Sequence, residues 1–168
     1  MTRRRNQRGG FLLENAMFMP ILLLLMLGMI ELAEITWTYY SLQKTLYTVA
    51  RFVGTQQGVN FCDESDAIVA AAKNLAVTGS SDGSTESLIR NLSIDQIQIR
   101  LERLTAESGE IGECECSAEA CDTANGGRAA DYIVVSIPDG YPFTLAIPNL
   151  PLDPILLRPR VRVPYQGT

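Results

Sequence analysis

No histidine occurs in this chain of 168 residues. Nor does it contain a P-loop or a G-x-G-x-x-G dinucleotide turn. The missing imidazole removes the most versatile general base and metal ligand. The missing motifs remove the backbone cradles that hold phosphates. Catalysis and a cofactor are therefore not expected. Acidic residues are absent from the first ten positions, where Arg3, Arg4, Arg5 and Arg8 stand. Taking those four arginines from the formal charge of −5 leaves about −9 for everything after Gly9. An acidic remainder argues against nucleic acid as a partner, because phosphate binding needs an excess of clustered Lys and Arg. There is no internal repeat. A secretory cleavage site is missing too: after Ile30 the chain reads E-L-A-E-I-T-W-T-Y-Y, with bulky aromatics where small residues would be needed.

What the chain does have is one long apolar run. From Ala16 to Ile30 no residue is charged or strongly polar. Fifteen residues at 1.5 Å each cover about 22 Å of a hydrocarbon layer roughly 30 Å thick. Phe11 to Leu13 and Leu32 to Ile35 must extend the span to about 11–35, with Glu14 and Glu31 near the two interfaces. There a carboxylate costs less than the roughly 2.5–3.5 kcal/mol it costs at the bilayer centre. The arginines before the span keep the amino end cytoplasmic, so the rest is exported. Trp37, Tyr39 and Tyr40 suit the outer interface. Beyond them Leu42, Leu46, Val49 and Phe52 or Val53 continue a helical stripe, with Gln43, Lys44 and Arg51 off that face. Gly54 and Gly58 are candidate stops, and Pro20 should kink or loosen the helix. Glu31 and Glu34 lie three apart on one face. A helix contact or a cation partner competes there with simple solvation, which is the preferred reading for Glu34.

The exported part holds Cys62, Cys114, Cys116 and Cys121. An even set in an oxidising compartment reads as two disulfides. Cys121 pairs with Cys114 or Cys116, and Cys62 with the other. Zinc is disfavoured, because C-E-C-x4-C lacks both histidine and C-x2-C spacing. A helix is expected over 63–77, capped by Asp63 or Ser65 and ended by Gly79. Strands are expected at 94–101, with Ile97, Ile99 and Leu101 on one face, at 131–137, and at 160–165, where Pro164 favours an edge. The segment 105–131 reads as a long stapled connection, and the proline-rich 138–159 as an irregular path. Asp63, Glu64 and Asp66 read as a helix start rather than a site. Glu113, Glu115 and Glu119 read as a solvated acidic loop in preference to a calcium site. The sum is an α+β fold: a cytoplasmic leader (1–9), a long helix (10–58) and an extracytoplasmic domain (59–168) with about three antiparallel strands. The exposed half of the long helix packs its stripe on that sheet.

The stretch R-G-G-F-L-L-E-N-A…P-I-L-L-L-L-M-L-G-M-I-E resembles the amino-terminal segment of TadE-like proteins. These are minor pilins or pseudopilins of the Tad (tight adherence, Flp pilus) secretion machinery. Gly9, Glu14, Pro20, Gly28 and Glu31 fill the family positions, and V-A-R-F-V places Ala50 and Arg51 at the end of the family's long helix. The specific likeness covers about forty-five residues. It implies a pilin-like fold and cleavage between Gly9 and Gly10 by a prepilin peptidase, making Glu14 the fifth mature residue. It further implies residence in a bacterial inner membrane with the carboxyl-terminal domain periplasmic. The implied partners are membrane lipid, other pilin or pseudopilin subunits and further Tad proteins. Glu14 then pairs with the new amino terminus of a neighbour. The plain alternative is an interfacial carboxylate among headgroups, on a signal-anchored ligand-binding or adhesion domain that is never processed.

Overall fold

The first helix, α1, runs from Arg8 to Gly54, 47 residues without interruption. At 1.5 Å per residue it is about 70 Å long. The computed structural model describes residues 8–105, 109–117, 119–145 and 153–166. The leader arginines Arg3, Arg4 and Arg5, and Pro148 and Pro151 of the proline-rich segment, lie outside the described residues. The second half of α1 is amphipathic because its apolar positions recur every three to four residues. Leu42, Leu46, Val49, Ala50 and Val53 are buried, while Gln43, Lys44 and Arg51 are exposed. Phe52 only flanks the core, so Val53 carries the last turn of the stripe.

Helix α2 (Ala67–Thr78) packs on α1 through Ala72 and Ala76, whose small side chains let the two backbones approach. Its cap is Asp66 rather than Asp63 or Ser65. One Asp66 oxygen accepts from the Ile68 and Val69 amides at 2.8 and 3.4 Å. Asp63 instead folds onto Ser65 in the preceding turn. Hydrogen bonds from the Ser65 hydroxyl and then its amide hold the Asp63 carboxyl below its ordinary value. Gly79 ends α2 in the left-handed region at φ 75°. A Cβ there would also meet Leu88 Cδ1 at 2.8 Å.

The sheet has four antiparallel strands in the order β2-β1-β3-β6: β1 Gln98–Leu104, β2 Ile111–Glu113, β3 Tyr132–Ser136 and β6 Arg160–Pro164. A two-stranded ribbon, β4 (Tyr141–Phe143) with β5 (Ile155–Leu157), lies between β3 and β6 in the chain. Ile97, Leu101, Ile133, Val135 and Ile137 turn inward onto the α1 stripe and are buried. The carboxyl-terminal segment is tied to the end of α1. Gln166 N donates to Gly54 O at 2.9 Å, and the Tyr165 hydroxyl to Gln56 O at 3.2 Å.

Three expectations are corrected. The strand expected from Ile94 starts at Gln98, because Ile94–Gln96 form a 3-10 turn whose Gln96 side chain accepts from the Ser93 amide. The connection 105–131 contains β2, too short at three residues to show alternation. The proline-rich stretch is not wholly irregular, since β4 and β5 pair through Tyr141↔Leu157 and Phe143↔Ile155. Pro142 and Pro164 occupy a two-stranded ribbon and the last position of a flanking strand, where a missing amide is tolerated.

Two disulfides staple the polar loop: Cys62–Cys116, 54 residues apart, and Cys114–Cys121, 7 apart. Of the two pairings left open, Cys121 takes Cys114. By the loop-entropy relation, the long closure stabilises by about 4 kcal/mol and the short one by about 2.5 kcal/mol. Cys62→Ser with Cys116→Ser should therefore cost more than Cys114→Ser with Cys121→Ser in chemical denaturation of the detergent-solubilised chain. A second check is alkaline. Burial raises the Tyr141 and Tyr165 hydroxyls above their ordinary value, Tyr141 against a smaller opposing pull from Arg90. The folded state thus holds these protons more tightly than the unfolded chain. Their stabilisation is intact below pH 10 and disappears as pH rises through the folded values, which tyrosinate absorbance alongside unfolding midpoints would record.

Candidate functional site

The amino-terminal half of α1 is the largest feature left unused by the fold. Every described side chain from Glu14 to Ile30 is exposed, among them Met17, Phe18, Leu22, Leu24 and Met29. Soluble surfaces rarely show an apolar patch on this scale. By length and composition this helix is able to cross a membrane. Glu14 and Glu31 bracket it, about 26 Å apart along the axis. Pro20 is the one proline inside α1. A Cβ on Gly28 would find nothing within 4 Å, so this small-residue notch is free for an outside helix. Gly9 and Gly10 lie in the first helical turns. Trp37, 74% exposed, and Tyr40 project from the next turns.

Glu31 sits where the two halves of α1 meet. Ile35, one turn on, already packs against the core. Glu31 is half-buried, and its Oε2 is shut from solvent with no hydrogen-bond donor among the described residues. A solvent-excluded carboxylate oxygen without a partner is costly. Glu34 is exposed, as expected.

The cysteines form a separate region. Arg103 shares the inward parity of Leu101 and reaches beneath the stapled loop. There its guanidinium donates to the carbonyls of Ala120 (3.2 Å), Ala129 (3.0 Å) and Arg128. Asp122 closes the next turn by accepting from the Asn125 amide and side chain. Sequence reasoning missed Arg103; a cation at an inward-facing strand position was the available signal. Glu113, Glu115 and Glu119 are exposed, and Glu113 pairs with Arg100 at 2.8 Å. Among the described residues no three carboxylates or thiols converge as a metal site.

On the outer face of the sheet lies an ionic network that the sequence did not announce. Glu102, only 5% exposed, binds both Arg160 and Arg162, the latter at 2.6 Å. Its Oε2 has the ion pair with Arg162 but not hydrogen-bond geometry. No family model, characterised protein or solved structure matches this chain.

Glu102→Gln should keep the shape while releasing both arginines. Because those arginines are half in solvent, screening limits the loss to about 1–3 kcal/mol, and denaturation midpoints with and without salt would measure it.

Proposed function

We propose that this protein is a TadE-like minor pilin or pseudopilin, a structural subunit in the assembly of a Tad/Flp type IV pilus or a related secretion system. It is a single-pass protein of the bacterial inner membrane, with its amino end cytoplasmic and the sheet domain periplasmic. The observation that carries this reading is the uninterrupted α1. One rod presents an apolar surface to lipid or to other helices, then becomes the central element of a small α+β domain. A cleavable export signal has no reason to continue as the core helix of the domain it delivers.

The resemblance supplies the rest. Cleavage between Gly9 and Gly10 by a prepilin peptidase creates an ammonium group at the membrane face. Glu14, the fifth mature residue, pairs with that group on a neighbouring subunit. Removing one partner of such a buried pair costs about 3–5 kcal/mol, enough to enforce register. Pro20 and Gly28 let adjacent helices fit closely, and Glu31 offers its unpartnered oxygen to a cationic group of a sister subunit.

Two measurements test this. Sequencing the amino terminus of native protein from membranes should give Gly10. An intact leader favours a signal-anchored adhesion or ligand-binding domain, and a start beyond Ala33 means secretion. Glu14→Ala should insert normally, yet no longer co-purify with other pilus components. Unchanged co-purification removes the assembly role.

A further inference from the structure

Charge is divided unevenly across the outer face of the sheet. Strand order makes β2 and β6 its two flanks. Register sets Arg100, Val134 and Arg162 side by side on β1, β3 and β6. Arg160 and Arg158 continue the same parity toward the ribbon. These are four of the ten cations beyond Gly9, in a chain of net charge −5. Glu102 and Glu113 alone neutralise them here. Arg158 is exposed and has no ion partner among the described residues. With Arg160 it walls a groove of about 280 Å³ whose floor includes Val134, 2% exposed, beside Glu102 and Glu113.

The β2 flank has the opposite character. Glu64, Glu113 and Glu115 border a cleft of about 500 Å³ beside the Cys62–Cys116 bridge, where Arg100 offsets Glu113 and leaves Glu64 and Glu115 as the excess charge. Glu115 and Glu119 are exposed there without an ion partner among the described residues. Three inter-strand steps separate the two flanks by about 14 Å.

We propose that the arginine flank at β6 docks the acidic flank at β2 of a second copy of this chain. The planar guanidinium forks of Arg158 and Arg160 suit carboxylates. Pairing equal flanks would set arginine against arginine, which is repulsive. Joining unlike flanks uses two different surfaces of each copy, so every addition leaves one flank of each sign free and the contact propagates in a row. This docking surface lies outside α1 and involves neither the leader nor Glu14. It stands or falls separately from the pilin reading.

The test is self-association of the full chain in detergent micelles, followed by sedimentation. Association should weaken as salt rises from about 50 to about 500 mM. Arg158→Glu and Glu115→Arg should each weaken it at least about tenfold, with both disulfides and the circular dichroism unchanged. The double variant R158E/E115R should return to within about threefold of the original, because the exchanged charges face each other again. A chain monomeric at low salt, single variants that associate normally, or a double variant as weak as either single one would each overturn the proposal.

Discussion

The packing of the Leu42–Val53 stripe against β3 and β6 is the contact on which the rest of the molecule depends. It joins a helix half that faces no part of its own chain to a sheet of only four short strands. Without that stripe the sheet has no inner layer, since Ile133 and Val135 are fully buried and face it. Without the sheet the helix has two exposed apolar faces instead of one. The tie between Gln166 and Gly54 closes the arrangement at the far end of the rod. The helix terminus is thus held by the last described residues of the chain.

Polar stapling supplies what this small core does not. The loop between β2 and β3 is acidic and rich in glycine, with little apolar surface to bury. Its shape comes from two disulfides and from Arg103, whose one charge satisfies three carbonyls. The opposite face of β1 uses the inverse device, a buried carboxylate holding two arginines. Both arrangements are ionic but differ in kind. Arg103 draws three loop carbonyls together, whereas Glu102 mainly sets where the arginine side chains stand.

Much of this was legible in the residues themselves. The stripe of α1, its stop at the first of two candidate glycines (Gly54, short of the expected 58), the left-handed Gly79, β3 and the edge strand with Pro164 all follow from local periodicity or from backbone chemistry. The cysteine pairing was narrowed to two choices because a Cys114–Cys116 ring is too tight. What escaped depends on competing local hydrogen bonds, on strands of three residues and on cross-strand register. The cap of α2 falls on Asp66 because Asp63 finds Ser65 first. The first turn of 94–101 is pulled out of the strand by Gln96 bonding back to Ser93. β2, β4 and β5 have three residues each, and no alternation is readable over so short a run. Glu102 looked like a solvent-face residue; only cross-strand register brings Arg160 and Arg162 over it. For the candidate site, Glu14, Pro20 and Glu31 stood out along the apolar run, while Gly28 and the assembly roles are what the family resemblance implies. The unpartnered oxygen of Glu31 emerges only once Ile35 is seen to pack.

The distribution of weak points along α1 then acquires a physical meaning. Between Gly28 and Gly54 the helix has neither glycine nor proline, and from Ile35 onward its inner face is locked to the domain. Kinks in long helices arise at proline, at small residues or at bulges. In α1 Pro20 and Gly28 both fall in the half without internal contacts. The sites at which the helix can bend therefore fall in its exposed apolar segment, while the domain is fixed to the half without them. A shift of the helix about its axis near Glu31 would carry both charged flanks of the sheet with it. The orientation of the domain relative to the apolar segment is thus set where the rod leaves that segment.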